Sequence, residues 1–157
     1  MNKSLLLLSK IENDQFNNIE KINVNEVVKE KIELFKETFV QKDITIIFEE
    51  SGIFELNIDS ILCEMMINNL LKNAFTHNKE IGEIKIEISK DEIVISNSGK
   101  ETSLNEKLIF NYFYKESKEK NSTGLGLVLI KTICKKHNLG IDYQFIEKKH
   151  RFIITKK

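Results

Sequence analysis

The chain has 157 residues, enough for one domain with a real core and too few for two. Its 24 Lys and Arg balance 24 Asp and Glu, which removes any general pull toward nucleic acid or an anionic membrane, and 41% hydrophobic with 31% charged residues is an ordinary globular balance. The two cysteines, Cys63 and Cys134, lack CxxC spacing, which excludes a disulfide framework and a thiolate zinc site; they read as small buried hydrophobes in a reducing compartment.

Residues from about Lys3 to Phe16 read as helix, with Leu5, Leu8, Ile11 and Glu12 at helical spacing. Nothing caps its start, so it reads as the end of a longer helix. "SLLLLSKI" is too short to span a bilayer and has no signal-peptide cleavage pattern, which implies a soluble, cytosolic chain. "EKINVNEVV" resets the pattern. Asn25 is the expected N-cap of a second helix, Glu26 to Lys42, striped by Val27, Val28, Ile32, Phe35 and Phe39. "ITIIFEE" and "IFELNID" are β-branched and aromatic, flank Ser51-Gly52, and read as two strands joined by a turn.

Asp59 or Ser60 caps a third helix that runs to about His77. On it Ile61, Met65, Asn69, Lys72, Asn73 and Thr76 lie near one face, and Leu62, Met66, Leu70 and Phe75 favour the other. Asn69 and Asn73 therefore project together from a mostly apolar helix. Asparagine is a poor helix former, so two at this spacing need a reason. A neutral amide oxygen suits one ligand position of a magnesium ion that already carries phosphate oxygens and waters.

"EIKIEIS" and "EIVISNS" alternate by twos as a strand pair with Asp91-Glu92 at its turn. A polar stretch from Asn97 to Ser122 follows, interrupted by one apolar knot, "LIFNYFY". Then comes "NSTGLGLVLIKTICKKHN", in which Gly124 and Gly126 precede a run with helical spacing. No Walker loop exists here, and the third glycine of a dinucleotide fingerprint is missing. Taken alone, the glycines read equally as a loop terminus and as a helix mouth where backbone N–H groups approach an anion. "IDYQFIE" and "RFIITK" close the chain as strands, and Lys148, Lys149, His150 and Arg151 read as a solvated hairpin turn between them. Strands in adjacent pairs separated by single helices predict a layered α+β domain with a mostly antiparallel sheet.

"NNLLKNAFTHN", "ISNSG", "LIFNYFY" and "STGLGLVLIKTI", in that order, resemble the N box, first glycine box, F box and second glycine box of sensor histidine kinases, within the Bergerat-fold ATPase and kinase superfamily. The resemblance covers about Asn23 to the C-terminus, the catalytic ATP-binding domain. It implies a two-layer α/β sandwich with helices on one face of a mixed, mostly antiparallel sheet. Residues 1–20 resemble the tail of the helix pair that dimerises and carries the phosphoacceptor histidine, leaving 21–157 as the catalytic domain.

By the resemblance, Asn73 coordinates magnesium on the phosphates of ATP, and Asn69 supports it one turn back; these two are the candidate catalytic residues. Asn97 stands where the family usually has an aspartate that accepts from the adenine amino group, and Gly99 is the close-approach glycine. Lys100-Glu101 replaces the rest of that box. Phe110 and Phe113 are the F-box aromatics, Tyr112 replaces a common arginine, and Lys115 and Lys118 are the candidate lid contacts to phosphate. Ser122, Thr123, Gly124, Leu125 and Gly126 deliver backbone N–H groups. Thr76 replaces a frequent basic residue, and His77 reads as a pocket residue or as a satisfied structural histidine.

ATP-hydrolysing relatives place a glutamate four residues before the magnesium asparagine. Here that position is Asn69, which cannot act as a general base. The resemblance therefore implies transfer of the γ-phosphoryl of Mg-ATP to a histidine. The sequence has no proline, and its three histidines lie inside or after the boxes, so the phosphoacceptor box is not in this chain. The expected partners are the phosphoacceptor helices of a homodimeric parent and a response regulator. The chain is expected to be the cytosolic domain of a membrane-bound parent and not to autophosphorylate alone. A degenerate, non-catalytic nucleotide-binding module is the alternative.

Overall fold

The computed structural model describes residues 3–111 and 125–157. In chain order the elements are α1 (Lys3–Glu12), β1 (Ile19–Asn23), α2 (Val24–Thr38), β2 (Asp43–Glu50), β3 (Glu55–Asp59), α3 (Ser60–Thr76), β4 (Ile81–Ile88), β5 (Glu92–Asn97), α4 (Gly126–Lys136), β6 (Leu139–Ile146) and β7 (Lys149–Lys156). Five strands form one sheet in the order β2-β4-β5-β7-β6, and β1 and β3 form a separate two-stranded ribbon. Among the described residues only the β2–β4 pair is parallel. The sheet is thus mixed and mostly antiparallel, as the sequence implied.

Alternation decides which face of the large sheet is covered. Ile84, Ile86 and Ile88 of β4, Ile93 and Ile95 of β5, and Phe152 and Ile154 of β7 are buried in one core with Leu62, Met66, Leu70 and Ile67 of α3 and Val128, Ile130 and Ile133 of α4. The intervening positions carry surface ion pairs, Lys85 with Glu49 and Glu87, and Lys149 with Glu83. The helices therefore cover one face only. Among the described residues no helix is long and apolar enough to cross a membrane.

Four local expectations are corrected. First, β2 and β3 are not a hairpin: β2 pairs with β4, and β3 pairs with β1. The cause is Asn25. Its Nδ2 donates to Glu50 Oε1 at 2.9 Å and Gly52 O at 3.0 Å, and its Oδ1 accepts the Phe54 N–H at 2.9 Å. These bonds claim the backbone that a hairpin turn would need. Second, Asn25 is consequently buried inside α2, and Asn23 is the cap, accepting the Glu26 N–H at 3.4 Å.

Third, two helices are shorter than their periodicity suggests. α1 stops at Glu12 because Asp14 adopts a left-handed φ of 56° and Gln15 N–H returns to Lys10 O. α2 stops at Thr38, which lets Phe39 stack on Phe75 and lets Lys42 turn toward α3. Fourth, the last hairpin turns at Glu147-Lys148, with φ of 52° and 62°, as a mirror-image two-residue turn. Lys149 to Arg151 are therefore strand, and His150 is buried rather than solvated.

Cys63 and Cys134 are buried and free, as expected, and burial pushes both thiols up to about 12. Thiolate is the reactive form, so it is scarce at pH 8. Iodoacetamide at pH 8 is expected to leave both cysteines unmodified in the native chain and to alkylate both in guanidinium, read by intact mass. Equal labelling rates in the two states would refute this burial.

Candidate functional site

α3 supplies one wall. Its apolar positions bury it between the sheet and α4, which forces its polar positions to one side. Asn69 and Asn73 are half-buried there, one turn apart. Asn69 Nδ2 donates back to Met65 O at 2.7 Å. That bond orients the amide, so Oδ1 faces α4: a Cβ added at Gly126 would stand 3.1 Å from it. The structure thereby brings Asn69 and Gly126 together. The Asn73 side chain makes no hydrogen bond among the described residues, while its carbonyl accepts the His77 N–H at 3.1 Å.

α4 starts at Gly126 behind Leu125, which is fully buried and whose own side chain makes no cap hydrogen bond. The first-turn N–H groups of a helix point out of its N-terminus, an anion-binding arrangement in principle. The opposite end of α3 is held by charge. Lys42 Nζ donates to Phe75 O, Thr76 O and Asn78 O at 3.0, 3.0 and 3.2 Å, satisfying carbonyls that a helix end leaves open.

The end of β5 supplies the second wall. Asn97 is buried, and its Nδ2 donates to Ser98 O at 2.8 Å, which leaves Oδ1 as its acceptor. Gly99 follows where the chain passes the end of α3: a Cβ there would lie 2.6 Å from His77 O and 3.5 Å from His150 Cδ2. His77 is the C-cap of α3, with its side chain exposed, and it borders Gly99 through its backbone. α3 is therefore the shared wall, with Gly126 beside its middle and Gly99 beside its end.

Residues that the motif reading passed over tie this wall down. His150 faces Asn97 directly in the β5–β7 register. Its Nε2 lies 2.6 Å from Lys100 O, an acceptor only, so Nε2 carries the hydrogen. Its Nδ1 lies 2.7 Å from Tyr143 Oη, which accepts the Leu104 N–H at 3.0 Å. The segment leaving β5 is thus fastened to the last hairpin at two points. Glu101 lies in the same segment; a hydrogen bond from Lys79 at 2.8 Å, and the charge of Lys148, hold its carboxyl below the usual range. Phe110 is half-buried, and it packs on the core beside the buried Ile109. Tyr112, Phe113, Lys115, Lys118, Ser122, Thr123 and Gly124 lie outside the described residues.

A shallow cleft at the start of α2, between Asn23, Lys29, Glu50 and Gly52, is separate from this arrangement. Its polar groups are engaged with one another. Asn25 and Lys29 hydrogen-bond Glu50, lowering its pKa, and Glu50 in turn raises that of Lys29.

A family profile described as "Histidine kinase-, DNA gyrase B-, and HSP90-like ATPase" matches residues 58–156, which span every candidate residue. The "Heme sensor protein HssS" of Staphylococcus aureus (strain Newman) is 34% identical over 145 residues, covering 88% of this chain and 32% of HssS. The chain thus spans about a third of the length of the curated relatives it matches. The solved catalytic domain of histidine kinase ThkA, in a nucleotide-free form, superposes with a TM-score of 0.75 at 26% identity, covering 87% of this chain and 93% of that one. The Acinetobacter baumannii histidine kinase AdeS shares the fold, with a TM-score of 0.76 at 21% identity over 99% of this chain and 75% of that one.

Proposed function

The chain belongs to the histidine kinase-, DNA gyrase B- and HSP90-like ATPase family, as the catalytic ATP-binding domain that sensor histidine kinases carry, and on that premise we propose that it transfers the γ-phosphoryl of Mg-ATP to a histidine outside this chain. One observation carries the reading: amide oxygens, not a carboxylate, line α3 beside the start of α4. Asn73 has an uncommitted amide, and Asn69 Oδ1 is aimed at Gly126. Among the described residues no group of three or more His, Cys, Asp or Glu side chains could cage a metal. A magnesium ion held here would take Asn73 Oδ1 together with phosphate oxygens and water, and would neutralise phosphate charge.

The chain's own groups divide the remaining work. The first-turn N–H groups at Gly126 meet anionic phosphate, and the missing Cβ lets them approach closely. Asn97 Oδ1 accepts from the adenine amino group. Asn69 cannot deprotonate water, so catalysis is positioning and electrostatics, and hydrolysis is not promoted. Residues 1–20, whose helix α1 packs on α4, are the end of a phosphoacceptor helix, and 21–157 are the catalytic domain. The partners are the phosphoacceptor helices of a homodimeric, membrane-bound parent, and then a response regulator. Lys115, Thr123 and Gly124 complete the phosphate contacts, with Phe110 anchoring the segment that carries them.

Calorimetric titration with ATP and magnesium, followed by labelled ATP with the phosphoacceptor helices supplied in trans, tests the proposal. Binding is expected, with acid-labile label on the helices and none on this chain. Absent binding, or steady phosphate release into water, would overturn it; binding without transfer would favour the non-catalytic module. Gly126→Ala sharpens the same test. Alanine is the better helix former by about 0.5–1 kcal/mol, whereas its Cβ must displace Asn69 Oδ1 from 3.1 Å. The expected result is about tenfold weaker nucleotide binding, roughly 1.4 kcal/mol, at unchanged or higher melting temperature. Unchanged affinity would return these glycines to a plain turn.

A further inference from the structure

An asparagine can present either end of its amide to a ligand, because oxygen and NH2 are nearly the same size. With oxygen outward, Asn97 accepts from the 6-amino group of adenine. With NH2 outward, it donates to the 6-oxo group of guanine. A carboxylate at this position has no such choice. We infer that Ser98 and Asn78 are specificity-determining positioning residues: they hold the Asn97 amide with its oxygen outward, and so reserve the site for adenine over guanine nucleotides. This rests on the reading of Asn97 as the base contact.

The hold is direct. Asn97 Nδ2 donates to Ser98 O at 2.8 Å. Reversing the amide would set two oxygens, both acceptors, at that distance, which is repulsive. The lock is therefore as firm as the Ser98 carbonyl, and Ser98 is fixed on three sides. Its N–H donates to Glu83 O at 3.1 Å, its Oγ accepts the Glu83 N–H at 2.8 Å, and its hydroxyl donates to Asn78 Oδ1 at 2.6 Å. Asn78 is pinned in turn, donating Nδ2 to Glu83 O at 3.1 Å and accepting the Lys79 N–H at 2.9 Å. Asn78, Asn97 and Ser98 are all buried, so water does not readily replace a lost partner. Gly82 makes the knot possible: a Cβ there would sit 2.0 Å from Asn78 Oδ1 and 2.7 Å from Ser98 Oγ. Neither Ser98 nor Asn78 needs to touch the nucleotide for this effect.

The test measures ADP and GDP dissociation constants by calorimetry on the full chain. The wild type is expected to prefer ADP by about 100-fold, the loss that follows when one buried polar group is left unpaired. Ser98→Ala should weaken ADP several-fold and strengthen GDP about tenfold. The GDP gain is the decisive readout, because a merely loosened pocket weakens both ligands. Adding Asn97→Asp to Ser98→Ala should abolish that gain, since a carboxylate has no NH2 to turn outward. Equal wild-type affinities, a Ser98→Ala chain with an unchanged ADP-to-GDP ratio, or a GDP gain that survives Asn97→Asp would each overturn the inference alone. A wild type that binds neither nucleotide would overturn the proposed function, and the inference with it. Should Ser98→Ala fail to fold, the wild type still decides. Its Asn97 side-chain NH2 protons should exchange with solvent far more slowly than those of an exposed asparagine, free and ADP-bound; exchange at the exposed rate would refute the lock.

Discussion

Asn73→Ala is expected to lower phosphoryl transfer to the phosphoacceptor helices by about 100- to 1,000-fold, the usual loss when one preorganised polar group facing developing charge is removed. Activity and stability should respond differently. Asn73 is half-buried, and its amide binds nothing else among the described residues, so no intramolecular bond is lost. Asparagine is also about 0.6 kcal/mol worse than alanine inside a helix. The variant should therefore melt at the same or a slightly higher temperature while being nearly inactive. Labelled transfer in trans and a thermal scan on one preparation check both halves. Transfer within about threefold of wild type would remove Asn73 from the site, and a large fall in melting temperature would give it a structural role instead.

Gly99→Ala should damage both stability and binding. The added Cβ would stand 2.6 Å from His77 O, a backbone atom with little freedom to yield. His77 N–H is tied to Asn73 O, and the helix end beside it is held by Lys42 on three carbonyls. On the other side, His150 secures the Lys100 carbonyl. Something must move, and either movement displaces a wall of the site: α3 with Asn73, or the β5 exit with Asn97. Overpacking of this kind costs about 1–3 kcal/mol, which lowers the melting temperature of a chain of 157 residues by roughly 2–12 °C. Nucleotide affinity should fall about tenfold or more. Thermal melts and calorimetry measure the pair of effects. Unchanged affinity with only the melting shift would separate Gly99 from the binding wall.

The parts that local pattern controls were legible in the sequence. α3 follows from its apolar spacing and the Asp59 cap, β4 and β5 from alternation, and Asn69 and Asn73 from their separation of four. What escaped was decided at long range. "NVN" offers two asparagines of equal capping ability, and Asn23 caps because Asn25 is claimed by residues 50–54, far along the chain. That same claim breaks the apparent hairpin at Ser51-Gly52. β1 is short and half-exposed, so it carries no alternation to detect. His150 did leave a signal: counting by twos puts it on the same face as Phe152 and Ile154, but the flanking charges obscured this. The knot of Gly82, Asn78 and Ser98 left none, because its members are ordinary turn residues until the strands are paired.

The strand order has a consequence for how the chain is made. β7 lies between β5 and β6, although it is the last strand in sequence. Until residues 149–156 have emerged, β5 has only β4 beside it, and the strand edge that Asn97 ends is bare. Vectorial synthesis thus delivers the lock on Asn97 early and its opposite buttress, His150, late. A nascent chain halted before Lys149 holds every box of the nucleotide motif and yet an unclosed sheet, whose open edge is a template for pairing with another chain. The sheet is completed in one step, when β7 enters between β5 and β6.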